Sequence, residues 1–296
     1  MSWSAFAPAK VNLFLHVGAP RPDGYHPLCS WMVFADVGDT VAVQPAEEPE
    51  FVVDGPFSAG LMMETNNLVV RAAEALLSRM PGERPALKLI LDKRLPIAAG
   101  LGGGSSDAGA TLRLLRDVLK LPVGDAALEA VAADLGADGP ACLWGYSAVA
   151  ENVGDALTAA PRIPPLDAVL VNPRRPAPTG KVYAAFDAAG APGTADRPHL
   201  PDHLENAEEV AYVLEHCRND LEAPAIGVEP CIGEVLDTLR NEPEVLLARM
   251  SGSGATCFAL CASEIEASGL AERLESMRPG WWVRRCRLGD PDILQR

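Results

Sequence analysis

The apolar residues of this chain alternate with polar ones in some segments and recur every three or four positions in others, which separates predicted strands from predicted helices. Residues 9–17 alternate, so that Lys10 and Asn12 share one face of a predicted strand while Val11 lies on the other. On pattern alone, a lysine there is most often a solvated charge at a strand edge. Further strands are predicted at residues 31–35, 40–44, 87–91, 147–151, 168–171, 257–261 and 281–287.

Three of these segments carry further expectations. The sequence Val37-Gly38-Asp39 is typical of a turn, so residues 31–35 and 40–44 are predicted to be separate strands. The last segment, residues 281–287, is predicted to lie at the edge of a sheet.

Helical periodicity follows residues that commonly cap helices. Leucines recur at helical spacing after residues 105–107, which predicts a helix with these three residues in its first turn. Residues 65–67 are expected to cap a helix that runs to Met80 and ends at Pro81-Gly82. Other helices are predicted at residues 125–135, 181–186, 206–217, 231–241 and 264–277.

Length and proline content predict the domain organisation. A chain of 296 residues is long enough for two domains. Prolines crowd between Pro161 and Pro165, and the boundary is therefore expected there, with one domain over residues 1–160 and a second over residues 161–296. The Ala-, Gly- and Pro-rich segment 190–201 is predicted to be a flexible loop.

The clearest candidate site follows the predicted strand 87–91. Residues 95–108 read Leu-Pro-Ile-Ala-Ala-Gly-Leu-Gly-Gly-Gly-Ser-Ser-Asp-Ala, with four glycines in five positions. Glycine permits positive φ and close approach to a ligand, while the free N–H groups and the dipole of a helix start attract anions. A di- or triphosphate suits such a loop, and positive φ is expected at its glycines: Gly100, Gly102, Gly103 and Gly104.

This loop matches neither the Walker pattern nor the dinucleotide fingerprint. No Gly-Lys-Ser/Thr follows it, so the charge that neutralises a bound phosphate must come from elsewhere. The alternative is a tight connection between strand and helix that binds nothing.

Three other segments carry candidate chemistry. The loop 18–27 is dense in turn-forming residues and presents Tyr25 and His26, although Tyr25 can also be a surface aromatic that packs on Pro27. Asp138 follows Gly136 in a sharp turn, where an aspartate is usually an ordinary turn residue. Residues 250–256 form a second glycine-rich turn.

Charge and cysteine content limit the possible partners. The net charge of −15 and the pI near 4.7 argue against nucleic acid and anionic membrane surfaces. A polyanionic ligand must therefore be attracted locally, by backbone amides, a few Lys or Arg side chains and a divalent cation. The seven cysteines include no Cys-x-x-Cys pair, and no basic leader or membrane-length apolar run is present, which predicts a cytoplasmic protein with reduced thiols.

Three motifs lie far apart in the chain: Pro8-Ala-Lys-Val-Asn-Leu13, Pro96 to Ala108, and Ser251-Gly-Ser-Gly-Ala255. Together they resemble the signatures of the GHMP kinases, the superfamily of galacto-, homoserine, mevalonate and phosphomevalonate kinases. The resemblance implies an α+β, two-domain GHMP kinase fold. Its N-terminal domain would be like ribosomal protein S5 domain 2, its C-terminal domain ferredoxin-like, and its active site would lie in the cleft between them.

Within the superfamily, Arg21-Pro-Asp-Gly-Tyr-His26 resembles the members that phosphorylate the 2-hydroxyl of 4-(cytidine 5'-diphospho)-2-C-methyl-D-erythritol in the non-mevalonate isoprenoid pathway. The likeness extends over most of the chain and is weakest between residues 190 and 203. Two alternatives remain, a kinase of the mevalonate or homoserine type and a catalytically silent nucleotide-binding regulator. Retention of Lys10 and Asp138 argues against the regulator. Further matching motifs lie at residues 36–39, 67–73, 135–138 and 219–222.

The resemblance also implies roles for individual residues. Asp138 would be the catalytic base with Lys10 as its partner, and Asn12 would lie near the acceptor hydroxyl. Tyr25, His26 and Tyr183 would hold the cytosine. ATP, with Mg²⁺, would be bound by Asn67, Pro96, Gly100, Leu101, Gly102, Gly103, Gly104, Ser105 and Ser106.

The magnesium ligands and the oligomeric state are not predicted, although Ser106 is a candidate for a direct or water-mediated contact to the ion. Three positions depart from the family pattern. Gly139 follows the proposed base where Val or Ile is common, which could loosen the base, Ala98 stands where Gly is common, and Tyr183 replaces an expected Phe.

Overall fold

The computed structural model describes residues 2–61, 66–79, 84–190 and 193–290. The chain folds into two compact units. Unit 1 comprises Met1–Ala9, Gly38–Ile97 and Gly102–Gly145, and unit 2 comprises Lys10–Val37, Ala98–Leu101 and Tyr146–Arg296.

The units interleave along the chain, which differs from the contiguous division at residue 160 that the sequence predicts. The cause is the length of the first two strands, β1 (Trp3–Val17) and β2 (Leu28–Pro45), each of which contributes residues to both units. The division into residues 1–160 and 161–296 stays a prediction.

In unit 1, two strands pair with β4 (Leu87–Asp92). The second half of β2 pairs with β4 antiparallel, from Thr40 opposite Asp92 onward, and β3 (Glu50–Asp54) pairs with β4 in parallel. The helices of this unit are α1 (Leu68–Leu77), α2 (Gly103–Val118), α3 (Asp125–Leu135) and α4 (Gly139–Trp144).

The core of unit 1 explains why these segments fold together. Apolar side chains at helical spacing on α1 and α2 pack against the alternating apolar positions of β2 and β4, and each fully buried side chain stabilises the fold by roughly 1.5–3 kcal/mol. Members of this core include Val41, Val43, Val69, Leu76, Leu89, Leu91, Leu112 and Leu115.

Unit 2 contains an antiparallel sheet. It is built from the first half of β2 with β5 (Ala148–Asn152), β6 (Ala156–Ala159), β7 (Leu166–Asn172), β8 (Val245–Met250), β9 (Cys257–Cys261) and β10 (Trp282–Gly289). Strand β10 pairs with β2 on one side and with β7 on the other, and β9 lies between β7 and β8.

The helices of unit 2 are α5 (Thr179–Ala188), α6 (Ala207–Glu215), α7 (Glu222–Val228), α8 (Cys231–Arg240) and α9 (Glu264–Met277). All of them except α6 contribute side chains to one apolar core with strands of this sheet. Of the helices in the part of the chain that the structure describes, none is long and apolar enough to cross a bilayer.

Most predicted elements are confirmed within a few residues, and β9 and α9 have the predicted bounds. Two expectations were wrong. Strand β2 continues through the predicted turn, because Gly38 lies so close to Ala7 that a Cβ would overlap the Ala7 carbonyl oxygen. Strand β10 is an interior strand, not an edge.

The arginines of β10 explain the second error, because charged side chains are typical of edge strands. Here they leave the sheet surface and meet acidic side chains, as Arg285 Nη1 does at 3.0 Å from Glu264 Oε1. Strands β3, β6 and β8 and helices α4 and α7 were not predicted. Thr65, Met80, Pro81 and Gly82, the predicted first capping residue and C-terminal end of α1, lie outside the described residues.

The predicted flexible loop spans residues 190–201, and its described part from residue 193 onward is held by hydrogen bonds within unit 2. The buried His16 ring donates from Nδ1 to the Asp196 carbonyl oxygen at 2.7 Å and accepts the Arg218 N–H at Nε2 at 3.3 Å. The Arg218 guanidinium donates to the Thr194 carbonyl oxygen at 2.6 Å and to Asp196 Oδ1 at 2.7 Å. Burial lowers the pKa of His16, which keeps its ring neutral in this network.

Candidate active site

Lys10 and Asn12 lie side by side on β1 in unit 2, as the alternating pattern predicts, but Lys10 is not a solvated edge charge. Its exposed fraction is 5%. Lys10 Nζ donates to Asn12 Oδ1 at 2.7 Å, Asn12 Nδ2 donates to Ser30 Oγ at 2.7 Å, and Ser30 Oγ donates to the Phe14 carbonyl oxygen at 2.6 Å. This series of donors fixes the orientation of the Asn12 amide.

The residues around Ser251 bring parts of all three sequence motifs together inside unit 2. Asn12 N–H donates to Ser251 Oγ at 3.1 Å, and Ser251 Oγ donates to the Gly100 carbonyl oxygen at 2.9 Å. Lys10 N–H donates to the Leu101 carbonyl oxygen at 2.8 Å. Direct hydrogen bonds therefore join β1, residues 100–101 of the glycine-rich loop and the second glycine turn.

Positive φ is confined to part of the loop. Gly100 has φ +74° and Gly102 φ +61°, and a Cβ on Gly100 would overlap the Ser251 carbonyl oxygen. The expected positive φ at Gly103 and Gly104 is wrong, because these residues already form the first turn of α2. Ala98 has φ +50°, so an alanine adopts the left-handed conformation where the family commonly has glycine.

The first turn of α2 in unit 1 has the properties of an anion site. Its N-cap is Gly102, which has no side chain to accept the first N–H groups of the helix. Ser105 and Ser106 lie in this turn as predicted, and Ser106 Oγ is buried without a hydrogen-bond partner among the described residues. Burial also raises the pKa of Asp107 to about 7, against the attraction of the Lys93 ammonium.

Two further predicted ATP residues also belong to unit 1. Pro96 is buried between β4 and the glycine loop. Asn67 is the N-cap of α1, and its Oδ1 accepts the Val69 N–H at 2.9 Å. The capping bond gives Asn67 a structural role beside the predicted one.

Asp138 is the N-cap residue of α4, although its side chain makes no capping hydrogen bond. The following Gly139 allows α4 to begin against α3, because a Cβ there would overlap the Ala132 carbonyl oxygen. Close packing therefore accounts for this departure from the family pattern. Asp138 belongs to unit 1 and Lys10 to unit 2, so their expected pairing stays a prediction.

His26 and Tyr183 come together in unit 2. Their ring centroids are 5.0 Å apart, and the edge-on Phe186 ring lies 5.8 Å from His26. His26 Nδ1 donates to the Gly18 carbonyl oxygen at 2.9 Å, which leaves Nε2 3.4 Å from Asp187 Oδ1. Tyr25 is on the same loop as His26, and 65% of it is exposed.

Phe186 and Asp187 were missed by sequence reasoning. The available signal was their spacing from Tyr183, since residues three and four positions apart share a helix face.

The motif at residues 219–222 supports the second glycine turn. Asn219 Nδ2 donates to the Met250 carbonyl oxygen at 2.7 Å and to the Gly252 carbonyl oxygen at 2.8 Å, while Asn219 Oδ1 accepts the Leu221 N–H at 3.0 Å. On the other side of the turn, Ser253 Oγ lies 2.9 Å from Thr179 Oγ1. Sequence reasoning noted this motif without giving it a role.

The chain matches two family models, described as GHMP kinases N terminal domain over residues 67–146 and GHMP kinases C terminal over residues 205–279. It is 64% identical to a 4-diphosphocytidyl-2-C-methyl-D-erythritol kinase of Caulobacter vibrioides, over 97% of this chain and 100% of that protein. The chain belongs to the 4-diphosphocytidyl-2-C-methyl-D-erythritol kinase family. A member of this family from Cereibacter sphaeroides is 44% identical, over 96% of this chain and 98% of that protein.

Solved structures agree with this membership. A crystal structure of 4-(cytidine 5'-diphospho)-2C-methyl-D-erythritol kinase has 33% sequence identity and a TM-score of 0.77, over 97% of this chain and 99% of that chain. The L. major mevalonate kinase in complex with R-mevalonate shares the fold alone, with 15% identity and a TM-score of 0.69 over 98% of this chain and 96% of that chain. The expected two-domain GHMP kinase fold is confirmed, and as a kinase of this family the protein uses ATP as its phosphate donor.

Proposed function

We propose that this kinase transfers a phosphoryl group from ATP to the 2-hydroxyl of 4-(cytidine 5'-diphospho)-2-C-methyl-D-erythritol in the non-mevalonate isoprenoid pathway. The observation that carries the proposal is the 64% identity, over nearly the whole chain, to a kinase named for this substrate. The ring pair of His26 and Tyr183 supports it, because a base stacked on an aromatic side chain gains roughly 1–3 kcal/mol. Mevalonate and homoserine contain no base that could use such a pair.

In this proposal, Asp138 accepts the proton of the substrate hydroxyl, an effect typically worth about 10²- to 10⁴-fold in rate. Lys10 supplies positive charge to the carboxylate and the transferring phosphoryl group. Asn12 orients the hydroxyl, and its fixed amide suits that task, because phosphoryl transfer depends mainly on positioning and charge stabilisation.

The cytosine would be held by Tyr25, His26 and Tyr183. The exposure of Tyr25 suits a ring that is covered only when a ligand binds. ATP would be bound by the residues that lead into and form the first turn of α2, together with the cap of α1. These residues are Asn67, Pro96, Gly100, Leu101, Gly102, Gly103, Gly104, Ser105 and Ser106.

We also propose that Mg²⁺ accompanies ATP, and the residues present fit that ion. Mg²⁺ keeps several waters and binds substrate phosphates rather than a full protein cage. The described residues contain no cluster of three His, Cys, Asp or Glu side chains that could form such a cage, whereas the buried Ser106 Oγ offers a hard oxygen ligand. When bound, the ion would neutralise charge on the phosphates.

We propose a cytoplasmic location for this enzyme. Its seven cysteines remain as thiols, which is typical of proteins in a reducing compartment. The small-molecule substrate agrees with the acidic net charge of −15, which disfavours nucleic acid as a partner.

An assay of ADP release across a panel of alcohols tests the substrate. The panel contains the cytidine-diphosphate-linked methylerythritol, free methylerythritol, methylerythritol 4-phosphate, mevalonate and homoserine. We expect turnover with the cytidine compound and very little with the others, because binding energy from the remote base is used to position the hydroxyl.

Efficient phosphorylation of mevalonate or homoserine, without preference for the cytidine compound, would overturn the substrate assignment. If none of the alcohols stimulates ADP release, the result would support the catalytically silent regulator.

A further inference from the structure

Three charged side chains are buried together in unit 1, immediately beneath the start of α2. Lys93, Asp39 and Asp107 are each at most 3% exposed. Lys93 Nζ donates to Asp39 Oδ2 at 2.6 Å and to Asp107 Oδ2 at 2.7 Å. This buried triplet joins the end of β4, the second half of β2 and the first turns of α2.

The second carboxylate oxygen of Asp39 extends the triplet into the phosphate loop. Asp39 Oδ1 accepts the backbone N–H groups of Arg94 at 2.6 Å and Leu95 at 2.8 Å. These residues directly precede Pro96, where the chain enters the loop. One carboxylate therefore fixes the loop entry, while the lysine that it binds also holds α2 through Asp107.

The Lys93 ammonium also lies close to the first residue of α2. A Cβ placed on Gly103 would lie 3.0 Å from Lys93 Nζ and 3.6 Å from Asp39 Oδ2. The triplet is therefore in direct reach of the first residue of α2, and a side chain on Gly103 would meet the ammonium.

Stability alone does not account for this arrangement. Replacing a buried ion pair by apolar residues of similar volume is often neutral or stabilising. Attraction of phosphate does not account for it either, because one lysine and two aspartates carry no net positive charge, whether Asp107 is protonated or ionised. Asp107 Oδ1 also has no partner among the described residues, so the site is not optimised for hydrogen bonding.

What the triplet does provide is a fixed start for α2. The N-cap Gly102 has no side chain, so the usual capping hydrogen bond that fixes the first turn is missing. We propose that Lys93, Asp39 and Asp107 are positioning residues for ATP, and that they hold the first turn of α2 and the loop entry in the geometry that binds the phosphates. This inference rests on the proposed ATP site and not on the identity of the alcohol.

The test measures binding of the non-hydrolysable ATP analogue AMP-PNP with MgCl₂ by calorimetry, without any alcohol present. Asp107→Ala removes the link between Lys93 and α2. We expect its Kd to rise about tenfold or more, because tenfold corresponds to about 1.4 kcal/mol, which is within the range of one lost hydrogen bond to a charged group. Asp107→Asn keeps an acceptor oxygen for Lys93 and should restore most of the affinity.

Lys88→Met is the matched control. Lys88 lies on β4, five positions before Lys93, and its Nζ pairs with Glu50 Oε1 at 2.9 Å in a more exposed position. Its loss should leave the Kd unchanged. Hydrogen exchange of the amides at residues 106–109, the first that donate within α2, provides a second readout. These amides should exchange faster in Asp107→Ala than in wild type, while those of α3 should not change.

Asp39→Asn covers the case in which Asp107→Ala does not fold. The variant is isosteric and keeps the oxygen that accepts the Arg94 and Leu95 N–H groups, but turns an NH₂ group toward the Lys93 ammonium. It should also weaken AMP-PNP binding. Wild-type affinity in folded Asp107→Ala or Asp39→Asn would overturn the proposal, as would equal losses in Asp107→Ala and Asp107→Asn.

The result is independent of the alcohol panel. If the kinase prefers another alcohol, the variants should still lose AMP-PNP affinity. If the variants bind AMP-PNP as wild type does, this inference fails, but the substrate assignment is not affected.

Discussion

Replacement of Asn219 tests most directly how the second glycine turn is held in place. Its buried side chain makes three hydrogen bonds to backbone groups, two of them to carbonyl oxygens of the turn itself. A typical hydrogen bond contributes about 0.5–1.5 kcal/mol net, so Asn219→Ala should lower the free energy of unfolding by about 1.5–4.5 kcal/mol.

Asn219→Asp sharpens the test, because it preserves shape. The carboxylate would place an oxygen where Nδ2 now lies 2.7 Å from the Met250 carbonyl oxygen and 2.8 Å from that of Gly252. Two attractive contacts become repulsive, while the contact to the Leu221 N–H survives. We therefore expect this variant to be destabilised although only one atom has changed.

Urea unfolding followed by circular dichroism measures both effects, and Asn206→Ala is the matched control. Asn206 is the exposed N-cap of α6 and makes a single capping bond to the Glu209 N–H at 2.9 Å, so its loss should cost about 1 kcal/mol. A loss in Asn219→Ala no larger than in Asn206→Ala, or wild-type stability of Asn219→Asp, would refute the reasoning.

Four further outcomes are expected. Asp138→Asn should lower kcat by about 10²- to 10⁴-fold with little change in ATP affinity, and a kcat above a tenth of wild type would count against the assigned base. Tyr25→Ala should raise KM for the cytidine substrate by about one to two powers of ten and leave KM for ATP unchanged in the same kinetic assay. Ala98→Gly should raise the free energy of unfolding by about 0.5–1 kcal/mol, because removing the strain of an alanine in the left-handed conformation outweighs the added entropy of the unfolded chain. A lower urea midpoint would contradict this. His16 has a pKa lowered by burial from 6.5, so its contribution to stability is present above that pH and is lost as the pH falls through the lower folded value. Urea midpoints at several pH values should therefore fall less steeply toward acid for His16→Gln than for wild type, and parallel curves would exclude this contribution.

Elements whose cause is local were predictable from the sequence. The bounds of α9 follow from Ser263, whose hydroxyl caps the Glu266 N–H, and from the apolar positions that face the core. The first turn of α2 was also correctly placed, because glycines followed by serines and a leucine repeat are a local signal.

Features that depend on distant packing were not predictable. Alternation puts Lys10 and Asn12 on one face but cannot show that this face is covered, and Lys10 is buried. Gly38 looks like a turn residue, and only the approach of Ala7 reveals a continuous strand.

The same distinction between local and distant causes applies to the candidate site. Motifs identified the residues that are proposed to hold phosphate and aromatic ligands, whereas the supports of those residues come from remote positions. Lys93 and Asp39 are 54 positions apart, and Asn219 reaches a turn 31 to 33 positions away, so no local pattern connects them. A single sequence contains no signal that pairs such residues.

The passage of β1 and β2 through both units has a consequence for how this enzyme can be divided or recombined. A gene cut at codon 160 would yield an N-terminal fragment carrying the unit 2 halves of both strands without β10, the strand to which Ala35 pairs. The C-terminal fragment would lack the β1 backbone that pairs with Asn219. Neither piece is a self-sufficient module, so chimaeras that exchange substrate preference between kinases of this fold must keep the first 37 residues and the C-terminal half from the same parent.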